Sequence, residues 1–312
     1  MLGGFAHALL FQPLIEDGIF YSCDSLRYSF EFPDTDMVES FLSFLSYLPG
    51  STYYQSLKDF DYRYLFVFGI KGLSFSIGLC MNGVKKETVL QGFLDFNPNK
   101  ILGEIAYDDG FMRISVSPFD QEEVEYRGLQ SQIGQLLRTV LNELFPMVEA
   151  IKIKRWDLAV DVPYGRDCVQ LIKDNRKYSQ FYKSAQDFTE YLGCMSAPGR
   201  VKVYNKQIEA GLDYPLTRIE VTLDSLDYID CYRCWPNVYT RKVIDLAESK
   251  VMVQLLAEQP VDRVDYYLRQ LSPNTKRKYK TLLLDRPFEI EGPIFNKLRS
   301  QLLRYQEGNF YE

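Results

Sequence analysis

Three carboxylates in two short segments have the types and spacing of a catalytic or metal-binding set. Asp157 and Asp161 lie four residues apart in the segment IKIKRWDLAVDV, and Glu220 lies in the segment TRIEVTL. Clustered negative charges repel one another unless a cation neutralises them, and carboxylate oxygens are ligands that Mg²⁺ and Mn²⁺ prefer. The pattern therefore predicts a metal or an acid–base role. The alternative is that these acids only keep an exposed strand face soluble.

Tyr204 and Lys206 form a second pair with chemical potential. A phenol has a pKa near ~10 and is a poor nucleophile until something lowers that value. An ammonium group two residues along the same strand face, together with a divalent cation, would favour the phenolate and polarise a phosphate. Tyrosine in place of water as the attacking group would leave a covalent phosphotyrosine link. The alternative is an ordinary cross-strand tyrosine.

Charged residues beside this pair leave two interpretations open. Arg218 and Glu220 share a strand face with the pair and could serve the same chemistry. They could equally form a cross-strand ion pair with the basic residues Arg200 and Lys202, because residues facing each other on neighbouring strands interact.

A half-buried antiparallel sheet must position these side chains. In RVKVYNK and in TRIEVTL, apolar residues alternate with polar ones. Residues 151–162 add a third strand, with Leu158, Val160 and Val162 on its apolar face. Period-two alternation is typical of strands with one face in the core and one in solvent. If the three strands lie in one sheet, its polar face gathers the acids, the tyrosine, the lysine and the arginine.

The remaining chain mixes strands and helices, which predicts an α+β fold around a central antiparallel sheet. Residues 179–191 are ambiguous between strand and loop. Strands become rare after residues 225–235, so we expect an α+β domain at 1–232 and a mostly helical region at 233–312. Strands are predicted at Ser25–Phe32, Tyr64–Ile70, Leu73–Met81, Val89–Phe96 and Tyr107–Val116, and helices at Asp36–Leu48, Glu123–Val148, Arg241–Leu256, Val261–Leu271, Thr275–Leu284 and Pro293–Tyr305.

Charge is divided unevenly along the 312 residues, whose net charge is −6. Residues 1–150 hold 10 Lys and Arg against 20 Asp and Glu, a balance of −10, and residues 151–312 hold 26 against 22, a balance of +4. Basic residues cluster at 152–155, 166–177 and 276–280. Because local charge decides phosphate contact, an acidic whole-chain balance is compatible with DNA binding on one side.

Composition excludes several classes of site. The single histidine, His7, excludes chemistry that needs paired histidines. Cys231 and Cys234 form the only close cysteine pair among six, which is weak support for zinc or redox chemistry and fits reduced thiols in a cytoplasmic protein. No apolar run reaches the length of a membrane span, and the N-terminus does not resemble a secretory signal.

Six segments, in order along the chain, carry a resemblance to plasmid rolling-circle replication initiators of the replication initiation factor (Rep_trans) family. The matches are Phe96-Asn97-Pro98-Asn99-Lys100 with the FNPNK element, Arg155-Trp156-Asp157-Leu158-Ala159-Val160-Asp161 with R-x-D-L-A-x-D, Tyr191-Leu192-Gly193 with Y-x-G, Val203-Tyr204-Asn205-Lys206 followed by Glu209 with the nucleophile motif, Arg218-Ile219-Glu220-Val221 with R-V-E-I, and Asn274-Thr275-Lys276-Arg277-Lys278-Tyr279-Lys280 with N-x-x-x-K-Y-K. Each segment alone is a weak signal, but six in the right order and at similar spacing are a strong one.

The resemblance implies that Tyr204 attacks a phosphodiester of origin DNA and stays joined to the 5′ phosphate. It implies Lys206 and Arg218 as further catalytic residues, and Mg²⁺ or Mn²⁺ held by Asp157, Asp161 and Glu220. The implied fold is a nicking domain distantly akin to histidine-motif nickases. Implied partners are double-stranded and extruded single-stranded origin DNA, a second copy in a homodimer and a host helicase. The expected DNA contacts are Arg200, Lys202, Lys276, Arg277, Lys278 and Lys280.

Three other functions remain open at this point. A relaxase that nicks the transfer origin of a conjugative or integrative element would use the same chemistry. A non-catalytic origin- or promoter-binding protein could keep the fold, although Tyr204 and Lys206 are present. A metal nuclease could use the paired acids to activate water and would leave no covalent adduct.

Overall fold

The structure is a computed structural model of the chain, and it describes residues 14–16, 18–55, 62–70, 73–81, 89–101, 121–184, 187–195, 197–241, 251–257, 259 and 261–307. The strands are β1 (Leu14–Glu16), β2 (Ile19–Glu31), β3 (Ser51–Gln55), β4 (Tyr64–Ile70), β5 (Leu73–Met81), β6 (Val89–Phe96), β7 (Ala150–Val162), β8 (Val169–Ile172), β9 (Tyr178–Tyr182), β10 (Phe188–Leu192), β11 (Val201–Asn205), β12 (Thr217–Leu223), β13 (Asn237–Arg241) and β14 (Leu284–Phe288). The helices are α1 (Thr35–Tyr47), α2 (Pro98–Ile101), α3 (Gln121–Met147), α4 (Lys206–Ala210), α5 (Tyr228–Cys234), α6 (Val251–Ala257), α7 (Val261–Gln270), α8 (Pro273–Leu283) and α9 (Gly292–Gln306).

The chain divides into two compact units. The first unit holds residues 1–14, 22–158 and 296–312, and the second holds residues 15–21 and 159–295. Strand β7 belongs to both, since Leu158 is in the first unit and Ala159 in the second. The division expected at 232/233, between an α+β domain and a mostly helical region, stays a prediction.

The first unit is an antiparallel sheet with helices packed against it. Its strand order is β3-β4-β5-β6-β2-β7, with every pair from β3 to β2 antiparallel. Helix α1 begins where the side chain of Asp34 accepts a hydrogen bond of 2.9 Å from the backbone N–H of Met37. The core side chains Phe41 and Leu45 of α1, and Leu141 of α3, are fully buried. This amphipathic spacing is what the sequence predicted.

The second unit carries the candidate site on a sheet with the order β7-β12-β11-β10-β9. Strands β12, β11, β10 and β9 pair antiparallel. Val201 and Val203 of β11 and Ile219 of β12 are fully buried, so the predicted apolar faces form the core side. Burying these side chains stabilises the hairpin by about 1.5–3 kcal/mol each. The alternation fixes which residues reach the opposite, polar face.

The second unit also contains a separate, three-stranded antiparallel sheet with the order β14-β13-β8. Helices α6, α7 and α8 pack beside it. Their shared core contains Ile172, Val253, Leu256, Val264, Leu268, Leu283 and Leu284. Two strands therefore lie in the region 233–312 that the sequence predicted as mostly helical. The sequence pattern missed them because each pairs with a strand far away in the chain.

Most predicted elements are confirmed, and the α+β fold with antiparallel sheets is confirmed. Within the ambiguous segment 179–191, the structure shows the strands β9 and β10. The helix predicted at Arg241–Leu256 was wrong at its start, since Arg241 ends β13 and the described helix begins at Val251. The strand predicted at Tyr107–Val116 lies outside the described residues. No described helix has the length and apolarity required to cross a membrane.

Candidate active site

The β11–β12 pair brings the residues of the candidate site together. In its register, Tyr204 lies opposite Arg218 and Lys202 lies opposite Glu220. Directly opposite residues point to the same face of a sheet. The register therefore places Lys202, Tyr204, Arg218 and Glu220 on one polar face.

Glu220 connects the phenol to the lysine. Its carboxylate accepts a hydrogen bond of 2.6 Å from the Tyr204 hydroxyl at Oε1 and one of 3.2 Å from Lys202 Nζ at Oε2. The Lys202 ammonium also lies 3.8 Å from the centroid of the Tyr204 ring. The cross-strand ion pair weighed as an alternative is thus present for Lys202 and Glu220. It does not exclude chemistry, because it holds a carboxylate and a cation against the phenol.

Tyr204 is only 6% exposed, although its hydroxyl contacts a carboxylate rather than the apolar core. Lys202 is the more open neighbour, with 35% of its side chain exposed. A phosphate that approached the phenol would meet the Lys202 ammonium at the surface first. This favours Lys202 as the group that receives an anionic ligand.

Arg218 forms an ion pair with Asp161 and is shielded from solvent. Its guanidinium donates from Nε and Nη2 to the two carboxylate oxygens of Asp161, each at 2.6 Å. Both side chains are buried, with 6% and 3% exposed. A guanidinium that donates two hydrogen bonds to one carboxylate is a strong form of ion pair. Here the arginine neutralises the charge of the buried aspartate. It also connects β12 to β7.

Lys206 does not continue the strand face of Tyr204 as the sequence predicted. Strand β11 ends at Asn205, whose side chain accepts a hydrogen bond of 2.9 Å from the backbone N–H of Ile208 and so caps α4. Lys206 begins that helix, and its ammonium donates to the carboxylate of Glu209. Burial, followed by the positive charge of Arg218, lowers the pKa of Lys206 from its ordinary value. The amine is thus near the Arg218 pair but does not share the strand face of the tyrosine.

Each of the three carboxylates expected to hold a metal ion has a cationic partner. Asp157 takes a hydrogen bond of 3.0 Å from Arg155 within the first unit. Asp161 and Glu220 lie in the second unit, and each is already bound to a cationic side chain. Among the residues that the structure describes, no group of three or more His, Cys, Asp or Glu side chains is placed to hold a metal ion. A cation held by Asp161 would have to compete with Arg218.

Arg200 and Lys202, both expected to contact DNA, lie beside aromatic rings of β10 and β11. Lys202 lies over Tyr204, as described above, and the Arg200 guanidinium carbon lies 4.9 Å from the centroid of the Tyr191 ring. Tyr191 belongs to β10, directly opposite Lys202 on β11. The sequence singled out Arg200 and Lys202 for their charge but did not predict this contact with β10.

The basic helix α8 separates into exposed and internal cations. Arg277 and Lys278 are exposed, and Lys276 is partly buried. Lys280 donates a hydrogen bond of 2.7 Å to the Tyr239 hydroxyl and lies 4.1 Å from the centroid of that ring. Of the four predicted DNA contacts on this helix, Lys280 is therefore occupied with the neighbouring strand β13.

Sequence reasoning missed two arginines that hold this region together. Arg166 is fully buried, pairs with Glu190 of β10 and donates to the carbonyl of Val169 at 2.7 Å. Arg176 donates to the carbonyls of Gly199 and Cys234, both at 2.7 Å, and so fixes the turn that precedes β11. Both lie in the basic stretch 166–177, but a charge count cannot tell a buried structural arginine from a solvent-exposed one.

The Cys231 and Cys234 pair lies on α5 and does not have the character of a thiolate site. Burial raises the pKa of Cys231 to about 12, and burial also raises the pKa of Cys234. Metal binding and redox exchange both need the thiolate form. The raised pKa values therefore disfavour the thiolate form of both cysteines.

Comparisons with known proteins show similarity to solved structures only. No family model and no curated protein matches the chain. Among solved structures, the chain is similar to the rolling circle replication initiator protein from Geobacillus stearothermophilus, with 13% sequence identity and a TM-score of 0.40. That alignment covers 84% of this chain and 97% of the other.

Proposed function

We propose that this protein is a rolling-circle replication initiator that nicks and rejoins one strand of its origin DNA through a covalent 5′-phosphotyrosine at Tyr204. The single observation that supports this most directly is the hydrogen bond of 2.6 Å from the Tyr204 hydroxyl to Glu220 on the polar face of β11 and β12. A phenol that already donates its proton to a carboxylate has an acceptor for that proton as it attacks. The ordered sequence motifs around it support the same reaction.

The chemical step is an in-line displacement at phosphorus. The phenolic oxygen of Tyr204 forms a bond to the phosphorus as the bond to the 3′ oxygen breaks, and the phenolic proton passes to Glu220. The departing 3′ oxygen takes a proton from water and becomes the 3′-hydroxyl that primes synthesis. Because the phosphodiester bond is replaced by a phosphotyrosine bond, the reverse reaction can rejoin the strand.

The cationic side chains of the proposed site have different tasks. Lys202 is exposed enough to contact the non-bridging oxygens of the phosphate, whose charge it would stabilise. Arg218 holds Asp161 and fixes the β12 register, so it acts as a positioning residue. Lys206 adds positive charge from the start of α4, where Glu209 orients it.

A requirement for Mg²⁺ or Mn²⁺ is also proposed, with Asp157, Asp161 and Glu220 as its ligands. Such an ion would have to displace Arg218 from Asp161, so no step of the reaction is assigned to it. Nicking should fall to background in chelator and return when Mn²⁺ is restored. Full nicking activity in chelator would refute the requirement.

The proposed partners follow from the reaction. Double-stranded origin DNA would be bound through the exposed cations of α8, and the scissile strand would be single-stranded at Tyr204. A homodimer and a host helicase are further proposals, since strand nicking alone does not unwind a plasmid.

The first prediction concerns the nucleophile itself. In Mn²⁺, wild-type protein incubated with a labelled single-stranded origin oligonucleotide should form a protein–DNA adduct that resists denaturation. Tyr204→Phe lacks the attacking oxygen and should form none, while its affinity for the same oligonucleotide stays unchanged. Adduct formation is measured on a denaturing gel and binding by fluorescence anisotropy.

Tyr191→Phe is the matched control, because it removes a hydroxyl from the neighbouring strand and keeps the ring. It should form the adduct like the wild-type protein. An adduct that persists in Tyr204→Phe and disappears in Tyr191→Phe would move the nucleophile to β10. Nicked DNA without any adduct in the wild-type protein would point to hydrolysis by water, and intact DNA to a binding protein without catalysis.

A further inference from the structure

Three aromatic rings lie on one face of the sheet in the second unit, on three adjacent strands. On β10, Tyr191 lies opposite Lys202 of β11, and Lys202 is two residues before Tyr204. On β9, Phe181 lies opposite Thr189 of β10, and Thr189 is two residues before Tyr191. Opposite residues, and residues two apart, share a face. The polar face of Tyr204 on β11 therefore continues through Tyr191 on β10 to Phe181 on β9, two strand spacings or about 10 Å away.

Each of these rings has a cation over it. The distance from the cation to the ring centroid is 3.8 Å for Lys202 and Tyr204, 4.9 Å for Arg200 and Tyr191, and 6.0 Å for Lys183 and Phe181. Lys202 and Lys183 are held in place by carboxylates at 3.2 and 3.3 Å, Glu220 and Asp187. Each aromatic ring on this face thus has a basic side chain beside it.

This face opens progressively toward the edge of the sheet. Tyr204 is buried and Tyr191 is half-buried, while Phe181 is 59% exposed. Strand β9 is the last strand in the order, so its outer edge pairs with no further strand of the described sheet. The opposite face of β10 is closed, with Phe188, Glu190 and Leu192 buried. Phe181 is therefore a large aromatic side chain that a ligand can reach at the open edge of the sheet.

Single-stranded nucleic acid has the chemistry that fits aromatic rings with cations beside them. Its unpaired bases offer flat faces that stack on aromatic side chains, and its phosphates contact Lys and Arg. A duplex cannot use such a surface in the same way, because its bases are already stacked on one another.

We propose that the polar face from β11 to β9 is a track for single-stranded DNA. Bases would stack on Tyr191 and Phe181, and phosphates would lie beside Arg200 and Lys183. The direction of the track, with its inner end at the Tyr204 hydroxyl, rests on the proposed function. The track itself rests on the ring and cation pairs.

Strand β9 also allows a different occupant, a second copy of this chain that adds a strand at the sheet edge. The cation beside every ring favours nucleic acid, because pairing between two copies needs backbone groups at the edge and would place like charges of the two copies near each other. Pairing between copies would be detected as a change from dimer to monomer when the edge of β9 is altered.

Two adjacent residues of β9 give a matched test. Phe181 and Tyr182 are 59% and 60% exposed and lie on opposite faces of the strand. Phe181→Ala should weaken binding of a fluorescein-labelled oligothymidylate about tenfold, whereas Tyr182→Ala should bind it like the wild-type protein. Phe181→Tyr keeps a stacking ring and should restore affinity. Circular dichroism and thermal unfolding check that all three variants are folded.

Two further measurements separate stacking from charge. Lys183→Gln should make the slope of log K against log salt concentration shallower by about 0.7, the value expected for one phosphate contact to a single strand. Binding of a mixed-sequence duplex should not change in Phe181→Ala. Equal losses for duplex and single strand, or an unchanged slope in Lys183→Gln, would contradict the track.

Light scattering completes the test. If Phe181→Ala turns a dimer into a monomer and leaves oligothymidylate binding unchanged, the edge is a protein interface and the track is refuted. Because oligothymidylate binding requires no cleavage, this result stands apart from the adduct assay. Absence of the adduct would refute the nickase, and equal binding by Phe181→Ala and Tyr182→Ala would refute the track.

Discussion

At the level of single residues, the charged groups of the site differ in how strongly the fold depends on them. Asp161 and Arg218 are buried and bound to each other by two hydrogen bonds of 2.6 Å. Asp157 and Arg155 are also paired, but the arginine is 30% exposed and the pair is reached by solvent. Removing one member of a buried pair leaves an uncompensated charge, while removing one member of a solvated pair does not.

Asp161→Asn should therefore lower the free energy of unfolding by about 3–5 kcal/mol, because it leaves Arg218 charged and buried. Asp157→Asn is the control and should lower it by at most about 1 kcal/mol. Urea unfolding followed by circular dichroism measures both. The double variant Asp161→Leu with Arg218→Met should recover much of the loss. Equal effects of the two single substitutions would show that the buried pair does not stabilise the fold.

The lowered pKa of Lys206 should make the free energy of unfolding depend on pH. Its pKa is lowered in the folded protein by burial and by the charge of Arg218, from an ordinary value of 10.5. Between the lowered pKa and 10.5 the unfolded chain binds a proton that the folded protein has released, so stability contributed by this group rises with pH in that window. Lys206→Met removes the titration.

The free energy of unfolding of the wild-type protein, minus that of Lys206→Met, should therefore increase as pH rises toward 10.5. It is measured by urea unfolding at a series of alkaline pH values. Lys202→Met serves as the control, since 35% of that side chain is exposed. Parallel curves for the wild-type protein and Lys206→Met would show that the folded environment does not perturb this amine.

At the level of elements, helix α8 combines a structural face with a solvent-exposed face. Ser272 caps its first turn, accepting a hydrogen bond of 3.4 Å from the backbone N–H of Thr275. Leu283 is buried in the core that α6 and α7 share, and Lys280 contacts Tyr239 of β13. Arg277 and Lys278 lie on the exposed side, where a phosphate can reach them.

Lys280→Met should reduce the free energy of unfolding by about 1 kcal/mol through loss of its hydrogen bond to Tyr239, with little effect on the salt dependence of duplex binding. Arg277→Gln should have the opposite profile. Its stability should stay within about 0.5 kcal/mol of wild type, and the slope of log K against log salt for duplex DNA should become shallower by about 0.9. A reversed pattern would mean that Lys280 leaves Tyr239 to contact DNA.

Elements also mark the limit of prediction from the sequence. The strands β4, β5, β6, β11 and β12 and the helices α1, α3 and α8 follow from hydrophobic spacing and turn residues, which are local signals. Strands β13 and β14 were missed because their pairing is not local: β13 pairs with β8, more than sixty residues before it, and β14 pairs with β13 across the intervening helices. The turn from β11 into α4 was missed because the capping residue Asn205 sits inside a segment that still alternates.

At the level of the whole molecule, the three-stranded sheet decides where the chain can be divided. Strand β8 pairs with β13, and β13 pairs with β14. A chain that ended after residue 232 would keep β8 but lose its partner β13, together with β14, and it would expose Ile172 and the backbone groups of β8. A cut at 232/233 would thus separate two strands that pair with each other.

The fragment 1–232 should therefore aggregate, or unfold at a lower temperature and less cooperatively than the full chain. Thermal unfolding by circular dichroism and scanning calorimetry measures this. Adding residues 233–312 as a separate chain is the control and should restore part of the transition. A fragment 1–232 with the same midpoint as the full protein would show that β13 and β14 are dispensable for this sheet.

The sequence by itself determined the α+β class, the polar and apolar faces of β11 and β12, and the motif residues that place a tyrosine among acids and cations. These features depend on spacing over a few residues, which the chain carries without reference to distant segments. Only the tertiary structure decided the partner of each charged group. Arg218 binds Asp161, and Glu220 accepts hydrogen bonds from both Tyr204 and Lys202. Lys206 donates to Glu209 instead of lying on the strand face of Tyr204. Ion pairing depends on register across strands and on burial, so it becomes fixed only when the sheet forms.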